Sequence, residues 1–335
     1  MAIRLEHHDE YMHDPAEESS FNESMYVNLY DPAHQVGAFF RIGNRPNEGR
    51  GEVTVCCYLP DGRVGFMFQR PKVTSNEAFD SGGMRFEVLE PFERLAASYH
   101  GEVVLLDDPR QMADPKRAFT NNPLVSAQAD LTFEGVSPMF GGENDEPHEL
   151  PGEEFARGHY EQLMHASGSI RIGGDEFSVN GYGLRDHSWG ARTWQAPWYY
   201  RWLTGNSGPD FGFMASRVAR RDGAGIRGGF VWEAGTLHLC DRLVLTTEWD
   251  GEGEGSYHAR ISASLGSGNR EWQITGRVLR LIPLRNRRES PAGELLVTRI
   301  SEGLTEWTVG DGRVGFGLSE YLDQIVEGQP VGLAE

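Results

Sequence analysis

Apolar and polar residues alternate in short runs along most of the chain, and the glycines between the runs are spread out rather than clustered. A period of two is the pattern of an antiparallel strand with one buried face. It predicts strands over 52–59, 63–69, 84–89, 102–106, 129–133, 160–172, 176–189, 211–218, 229–232, 236–247, 257–265, 271–281, 294–300 and 306–309. Helical spacing is scarce. Short helices are expected only over 151–157 and over 319–325, where Leu322, Ile325 and Val326 form a brief apolar stripe. So many strands at near-regular spacing favour barrels or sandwiches over a doubly wound sheet. The acidic, turn-rich stretch 141–152 reads as a domain boundary. The expected organisation is a flexible tail over 1–20, a first barrel over 21–145 and a second over 150–335. The tail holds His7, His8 and His13 among many acids, metal capture by these histidines being the alternative to a frayed end. Asp61-Gly-Arg-Val-Gly-Phe66 recurs as Asp311-Gly-Arg-Val-Gly-Phe316. Asp-Gly ahead of an alternating run signals a hairpin, so the echo reflects shared turn chemistry or two related barrels.

Length supports the division, because 335 residues exceed what one hydrophobic core usually serves. Acidic residues number 50 against 31 basic ones, a net charge of −19 that would repel a phosphate backbone. Nucleic acid is therefore an unfavourable partner. Apolar residues at 39% suffice for real cores and exclude wholesale disorder. The longest apolar runs, such as Val103 to Leu106, fall far short of the ~20 residues of a spanning helix, and the charged start lacks the apolar stretch of a signal peptide. A cytoplasmic location is expected. Neighbouring Cys56 and Cys57 would point to opposite faces of a strand and Cys240 stands alone, so no disulfide framework or CxxC knuckle is present. Arginine supplies almost all the positive charge, with Lys72 and Lys116 the two lysines, and neither lysine has a neighbourhood suited to Schiff-base chemistry.

Several motifs mislead. Gly223-Ala-Gly-Ile-Arg-Gly228 matches GxGxxG but runs into a strand pattern instead of the helix a dinucleotide site needs. Asp250, Glu252 and Glu254 open like a calcium loop, yet the twelfth position is Ile261 and cannot close it. GxSxG, Walker and HExxH motifs do not occur.

The informative segment is Gly181-Tyr-Gly-Leu-Arg-Asp-His-Ser-Trp-Gly-Ala-Arg192, continued by Thr193-Trp-Gln-Ala-Pro-Trp-Tyr-Tyr-Arg-Trp202. On a continuous strand Gly181, Gly183, Arg185, His187 and Trp189 share one face, and Tyr182, Leu184 and Asp186 the other. The two glycines would open space beside a charged and aromatic patch, as in a pocket wall. A buried carboxylate beside His187 could hold the imidazole in one tautomer or act as an acid itself. A structural salt bridge at a barrel rim is the competing reading of Arg185 and Asp186.

The block Arg185-Asp-His-Ser-Trp-Gly190 resembles the Asp-His-x-Trp-Gly signature of the carotenoid 1,2-hydratase (hydroxyneurosporene synthase) superfamily. Met25-Tyr-Val-Asn-Leu-Tyr-Asp-Pro32, Gly37-Ala-Phe-Phe-Arg41 and Phe79-Asp-Ser-Gly-Gly-Met-Arg-Phe86 look like its opening strands. The resemblance implies an all-β fold of two consecutive lipocalin-like antiparallel barrels with few short helices. Members of the superfamily include fungal Diels–Alderases and other cofactor-free enzymes of hydrophobic substrates. It carries the histidine and tryptophan associated with hydratase activity onto His187 and Trp189. A Tyr-x-Asp pair expected further on has no match in Pro209-Asp-Phe-Gly-Phe-Met-Ala215, which points to another substrate or reaction.

The resulting expectation is an enzyme with no cofactor and no metal. It would bind an isoprenoid, polycyclic or steroid-like molecule between the two barrels and hydrate, isomerise or cyclise it at a double bond. Asp186 or His187 would be an acid kept protonated by burial, with Arg185 positioning it and Trp189 facing the developing cation. Tyr182, Arg192, Trp194, Trp198, Tyr199, Trp202 and Phe213 would bind substrate, with Asp80 and Arg85 as contributors from the first half. The alternative is a lipocalin-type carrier that holds its ligand unchanged. A homodimer is left open.

Overall fold

The structure, a computed structural model, describes residues 3–144, 155–290 and 293–333. It divides into two compact units, one running to Asp108 and resuming over Lys116–Thr193, the other made of Pro109–Pro115 and the chain from Trp194 onward. Both are built from antiparallel strands.

In the first unit eight strands close a ring. These are β1 (Phe21–Asp31), β2 (Val36–Arg45), β3 (Arg50–Tyr58), β4 (Val64–Gln69), β5 (Arg94–Leu106), β6 (Leu124–Gly135), β7 (Gly158–Ile172) and β8 (Asp175–Ala191). The order is β7-β8-β1-β2-β3-β4-β5-β6, and β6 pairs back onto β7. Closure leaves the ring without an open edge. Its interior is apolar, with Val27, Leu29, Phe40, Val55, Leu95, Leu131, Phe133 and Met164 among the buried residues.

The second unit holds β9 (Tyr199–Asn206), β10 (Phe211–Ala219), β11 (Gly225–Glu233), β12 (Thr236–Cys240), β13 (Arg242–Asp250), β14 (Tyr257–Ser267), β15 (Arg270–Glu289), β16 (Leu295–Val309) and β17 (Val314–Val326). Their order is β12-β11-β10-β9-β17-β16-β15-β14-β13. Leu203, Phe213, Val231, Ile261, Leu265, Ile274 and Trp307 fill the core. The all-β, two-unit lipocalin-like architecture is as expected.

Four expectations are corrected. The break between units falls after Thr193, not at 141–152, because β7 and β8 complete the first ring. The residues after Ile3 are not a frayed tail: Ile3–Arg4 pairs with Phe140–Asn144, and a 3-10 turn at His7–Glu10 buries Asp9 and Glu10. The helix expected over 319–325 is part of β17. Burial on both faces of this strand erased the alternation that would have marked it. Of the helix expected over 151–157, residues 151–154 lie outside the described residues, and 155–157 are not helical.

The repeated hexapeptides form the same hairpin in each unit. Leu59 N donates to Arg63 O and Val309 N to Arg313 O, at 3.0 and 2.9 Å, while Gly62 and Gly312 take φ of 93° and 90°. The GxGxxG stretch runs into β11, a strand.

Candidate functional site

Strands β7 and β8 form one long hairpin in which Tyr160 lies opposite His187, Gln162 opposite Arg185 and Glu161 opposite Asp186. Strand β1 lies on the other side of β8, with Met25 opposite His187. Alternation along β8 therefore presents Arg185, His187 and Trp189 on one face and Asp186 on the other. The two faces carry different chemistry.

On the first face Arg185, His187 and Trp189 are each 0 % exposed. Arg185 donates to both oxygens of Glu10, at 2.6 and 3.1 Å, and from Nε to Gln162 Oε1 at 3.0 Å. The Tyr160 hydroxyl donates to Glu10 Oε2 at 2.9 Å and lies 3.4 Å from His187 Nδ1. His187 Nε2 donates to Glu23 Oε1 at 2.9 Å. Glu23 also accepts from His13 Nδ1 at 2.7 Å, His13 N at 2.8 Å and Asn76 Nδ2 at 2.6 Å. Both ring nitrogens of His13 face carboxylates, Glu23 at 2.7 Å and Asp9 at 3.3 Å.

Burial alone would raise the Glu23 carboxyl, but hydrogen bonds and charge from His13 and His187 outweigh it and hold the group at about 2. Burial pushes the Tyr160 hydroxyl well above its ordinary value; the opposing Arg185 charge is outweighed once Glu10 adds to the rise. Trp189 stacks on His13 with centroids 4.1 Å apart, and the ring of Phe79 stands 5.6 Å from that of His187. The network is a buried chain of hydrogen bonds and aromatic rings built around the Arg185–Glu10 ion pair.

On the second face Asp186 hydrogen-bonds His159 Nε2 through a very short contact. The Asp186 side chain is 17 % exposed and the His159 ring 44 %. Burial would raise the Asp186 carboxyl, yet the charge and hydrogen bond of His159, with Arg192 behind them, hold it below its ordinary value. Desolvation works against protonation of His159, but Asp186 raises it. The pair is an imidazolium beside a carboxylate. Glu161, fully buried, lies 3.8 Å from His159 Nε2. Arg192 donates to Ser188 Oγ at 3.1 Å and lies over the Phe155 ring at 4.4 Å.

Among the described residues two groups could hold a metal ion: His13, Glu23 and His187, and His159, Glu161 and Asp186, each with donor atoms within 4.8 Å of one another. In the first, Glu23 already accepts four hydrogen bonds, so it is complete as an ion cluster. Of the three histidines of residues 1–20, only His13 enters a group of this kind.

The surroundings of the strand singled out from the sequence differ from those expected. The carboxylate that orients His187 is Glu23, because Asp186 faces the opposite way. Asp186 is not an acid kept protonated by burial, since its carboxyl is held low. Gly181 and Gly183 do not open a pocket: a Cβ there would run into the backbone carbonyls of Tyr30 and Asn28 on β1. Asp80 and Arg85 pair across an exposed hairpin, and Arg85 bonds Glu87 at 2.9 Å. Their neighbours Phe79 and Phe86 are the ones that turn inward. Tyr182 packs against His165 at 5.1 Å.

The remaining candidates belong to the second unit. The Trp194 carbonyl accepts from Gln324 at 3.0 Å, and Trp198 lies under Arg221. The Tyr199 hydroxyl accepts from Arg217, while Phe213 packs on Trp307 in the core. Trp202, next to Arg201 on β9, faces the opposite way from it. Glu10, Glu23, His159 and Tyr160 were missed. Each lies 27 or more residues from its partner on β8, and the acid- and histidine-rich start resembles a solvated tail.

Together the two units and the β7–β8 hairpin define a tandem lipocalin-like protein. The chain belongs to the family described as "Domain of unknown function (DUF7064)", whose pattern matches residues 6–325. No curated protein matches it. Among solved structures it is similar to CghA, with 13% identity, a TM-score of 0.57 and coverage of 96% of this chain and 94% of that one. It is also similar to CghA with Sch210972, at 12%, 0.55, 94% and 90%. Kievitone hydratase from Nectria haematococca gives 10% and 0.54, with 94% of this chain and 93% of that one covered. At these identities the likeness is one of fold.

Proposed function

We propose that this protein is a cofactor-independent enzyme that runs acid–base chemistry on a double bond of a hydrophobic isoprenoid, polycyclic or steroid-like molecule. The observation that carries the reading is the His159–Asp186 pair, a charged imidazole and carboxylate in very short contact with the ring still 44 % exposed. Asp186 holds Nε2, so Nδ1 is the nitrogen that exchanges a proton with substrate. In a hydration, His159 delivers a proton to one alkene carbon, water adds to the other, and the proton lost by that water restores the imidazolium. An isomerisation needs only the first transfer and its reversal at another carbon. Arg192 adds positive charge at the pair. The likeness in fold to a kievitone hydratase supports this class of reaction.

Arg185, His187 and Trp189 take a different role here. They are sealed behind the working face and hold β7, β8 and β1 in register through Glu10 and Glu23.

The test is incubation with a panel of terpenoid and steroid lipids followed by mass spectrometry and chromatography. A product heavier by one water, or of equal mass and altered retention, is expected. Asp186→Asn and His159→Gln each lower kcat of the folded fraction by roughly 10²–10⁴-fold. His187→Gln lowers stability and leaves kcat of the folded fraction near wild type. Recovery of the bound lipid unchanged identifies a carrier, and full activity in both Asp186→Asn and His159→Gln retires the mechanism.

A further inference from the structure

Several strands of the second unit end together at one side of its sheet. Tyr199 at the start of β9 stands opposite Ala219 at the end of β10, and Ala219 opposite Gly225 at the start of β11. In the other direction Tyr199 meets Asp323 of β17, Ile325 of β17 lies opposite Val297 of β16, and Leu295 of β16 pairs with Glu289 of β15. Two hairpins therefore rise from the same end. One joins β10 to β11 and turns over 220–224, with Arg220 N donating to Ala224 O at 2.8 Å. The other joins β15 to β16 and turns where Ser290 N donates to Glu294 O at 2.8 Å.

The first hairpin has the make-up of a contact surface. Residues 220–227 hold Arg220, Arg221 and Arg227 against one acid, Asp222, whose carboxylate turns back on the loop and accepts from Ala224 N at 2.9 Å. In a chain of net charge −19 this is a local reversal of sign. The excess does not depend on Arg217, which bonds the Tyr199 hydroxyl at 3.1 Å. Ile226 and Arg227 are successive residues on opposite faces of β11 and both are exposed, so the hairpin stands clear of the core with water on each side. At 73 % exposed, Ile226 is the most exposed bulky apolar side chain among the described residues, and Arg221 lies over the Trp198 ring at 4.4 Å. The second hairpin adds Leu295, 66 % exposed, with Arg287 and Arg288 offset by Glu289 and Glu294. Glu327 sits on the turn after β17, between the two. From β11 to β16 is four strand spacings, about 20 Å. That spread is wide for one small ligand and suits an extended surface.

We infer that this end of the second unit docks on an anionic lipid bilayer, with Ile226 and Leu295 entering the headgroup layer and Arg220, Arg221 and Arg227 on the headgroup charges. Apolar tips collared by arginine suit such an interface, because the apolar side chains lose contact with water while the guanidiniums stay among anions. A half-buried tryptophan beside them belongs at the same depth. The acids elsewhere in the chain do not cancel the attraction. At physiological salt, charges more than about 8 Å away are largely screened, so the local excess governs the contact. Nucleic acid would match the arginines but offers no apolar layer for Ile226 and Leu295.

The test is flotation of the full chain with vesicles of three parts phosphatidylcholine to one part phosphatidylserine, beside vesicles of phosphatidylcholine alone. The chain is expected to float with the mixed vesicles, to stay behind with the neutral ones, and to be released as salt is raised. Arg220→Gln, Arg221→Gln and Arg227→Gln together weaken partitioning roughly 100-fold, and Ile226→Ser alone weakens it roughly fivefold. Circular dichroism checks that each variant is folded. Should the triple variant fail to fold, Ile226→Ser decides alone. His159→Gln floats as wild type does, so the docking stands or falls apart from the reaction proposed for that residue. Absence of flotation, equal flotation with neutral vesicles, undiminished flotation in the folded triple variant or in Ile226→Ser, or capture of a DNA duplex in place of vesicles overturns the inference.

Discussion

Glu10 shows how much one side chain from the start of the chain carries. Its two oxygens accept from Arg185, from the Tyr160 hydroxyl and from the Phe92 backbone N–H at 3.0 Å. Removing one partner of a buried ion pair leaves the other charged and unsolvated, at a cost of roughly 3–5 kcal/mol. Glu10→Ala is therefore expected to cost that much in a urea melt. Replacing Arg185 as well, in Glu10→Ala with Arg185→Met, recovers part of the loss, because no orphaned cation remains. A double change no better than Glu10→Ala alone contradicts the pairing. This partnership was illegible in the sequence, since residues 175 positions apart meet only once the ring has closed.

At the scale of the element, the β8–β1 seam explains two glycines. A Cβ on Gly183 would collide with the Asn28 carbonyl, and Leu184 N donates to the Asn28 side chain at 3.1 Å. The backbones approach here more closely than side chains allow. Gly183→Ala should cost roughly 1–3 kcal/mol as an overpacking change, and hydrogen exchange should speed up in β1 and β8 before the rest of the first unit. Uniform exchange would show that the strands can part locally without strain. Strands with one wet face were readable from alternation, as with 160–172 against the observed Gly158–Ile172. Strands buried on both faces were not. Phe21–Asp31 is buried at every position and mixes asparagine, glutamate and serine with apolar residues, so its pattern has no period; only the family resemblance pointed to it. Ser319 to Ile325 failed for the same reason and mimicked a helical stripe. The candidate site was legible to the extent that Asp186, His187 and Trp189 are local to one strand, but which of them faces a partner with access depended on β7.

Across the whole molecule the two units should respond differently to acid. Burial, together with the positive charges of Arg201, Arg299 and Arg110, holds His258 down at about 3. A histidine whose folded pKa lies below its unfolded value supports the fold above about 6.5 and loses that support as pH falls. Each unit of pH below that point costs about 1.4 kcal/mol, so near pH 5 the second unit has lost about 2 kcal/mol. The first unit keeps its support longer, because Glu23 at about 2 contributes fully above the ordinary carboxylate value near 4.5 and gives way only below it. The His159–Asp186 pair adds stability that is complete below about 6.5 and fades as pH rises through about 9. Hydrogen exchange read unit by unit at pH 7 and pH 5 should therefore show protection falling in β14, β16 and β17 while β1, β7 and β8 hold or gain. His258→Phe keeps an aromatic ring on Tyr321 without a group to protonate, and it should abolish the second unit's loss of protection at pH 5. If the second unit still weakens first at pH 5 in that variant, the acid sensitivity resides in groups other than the imidazole at 258.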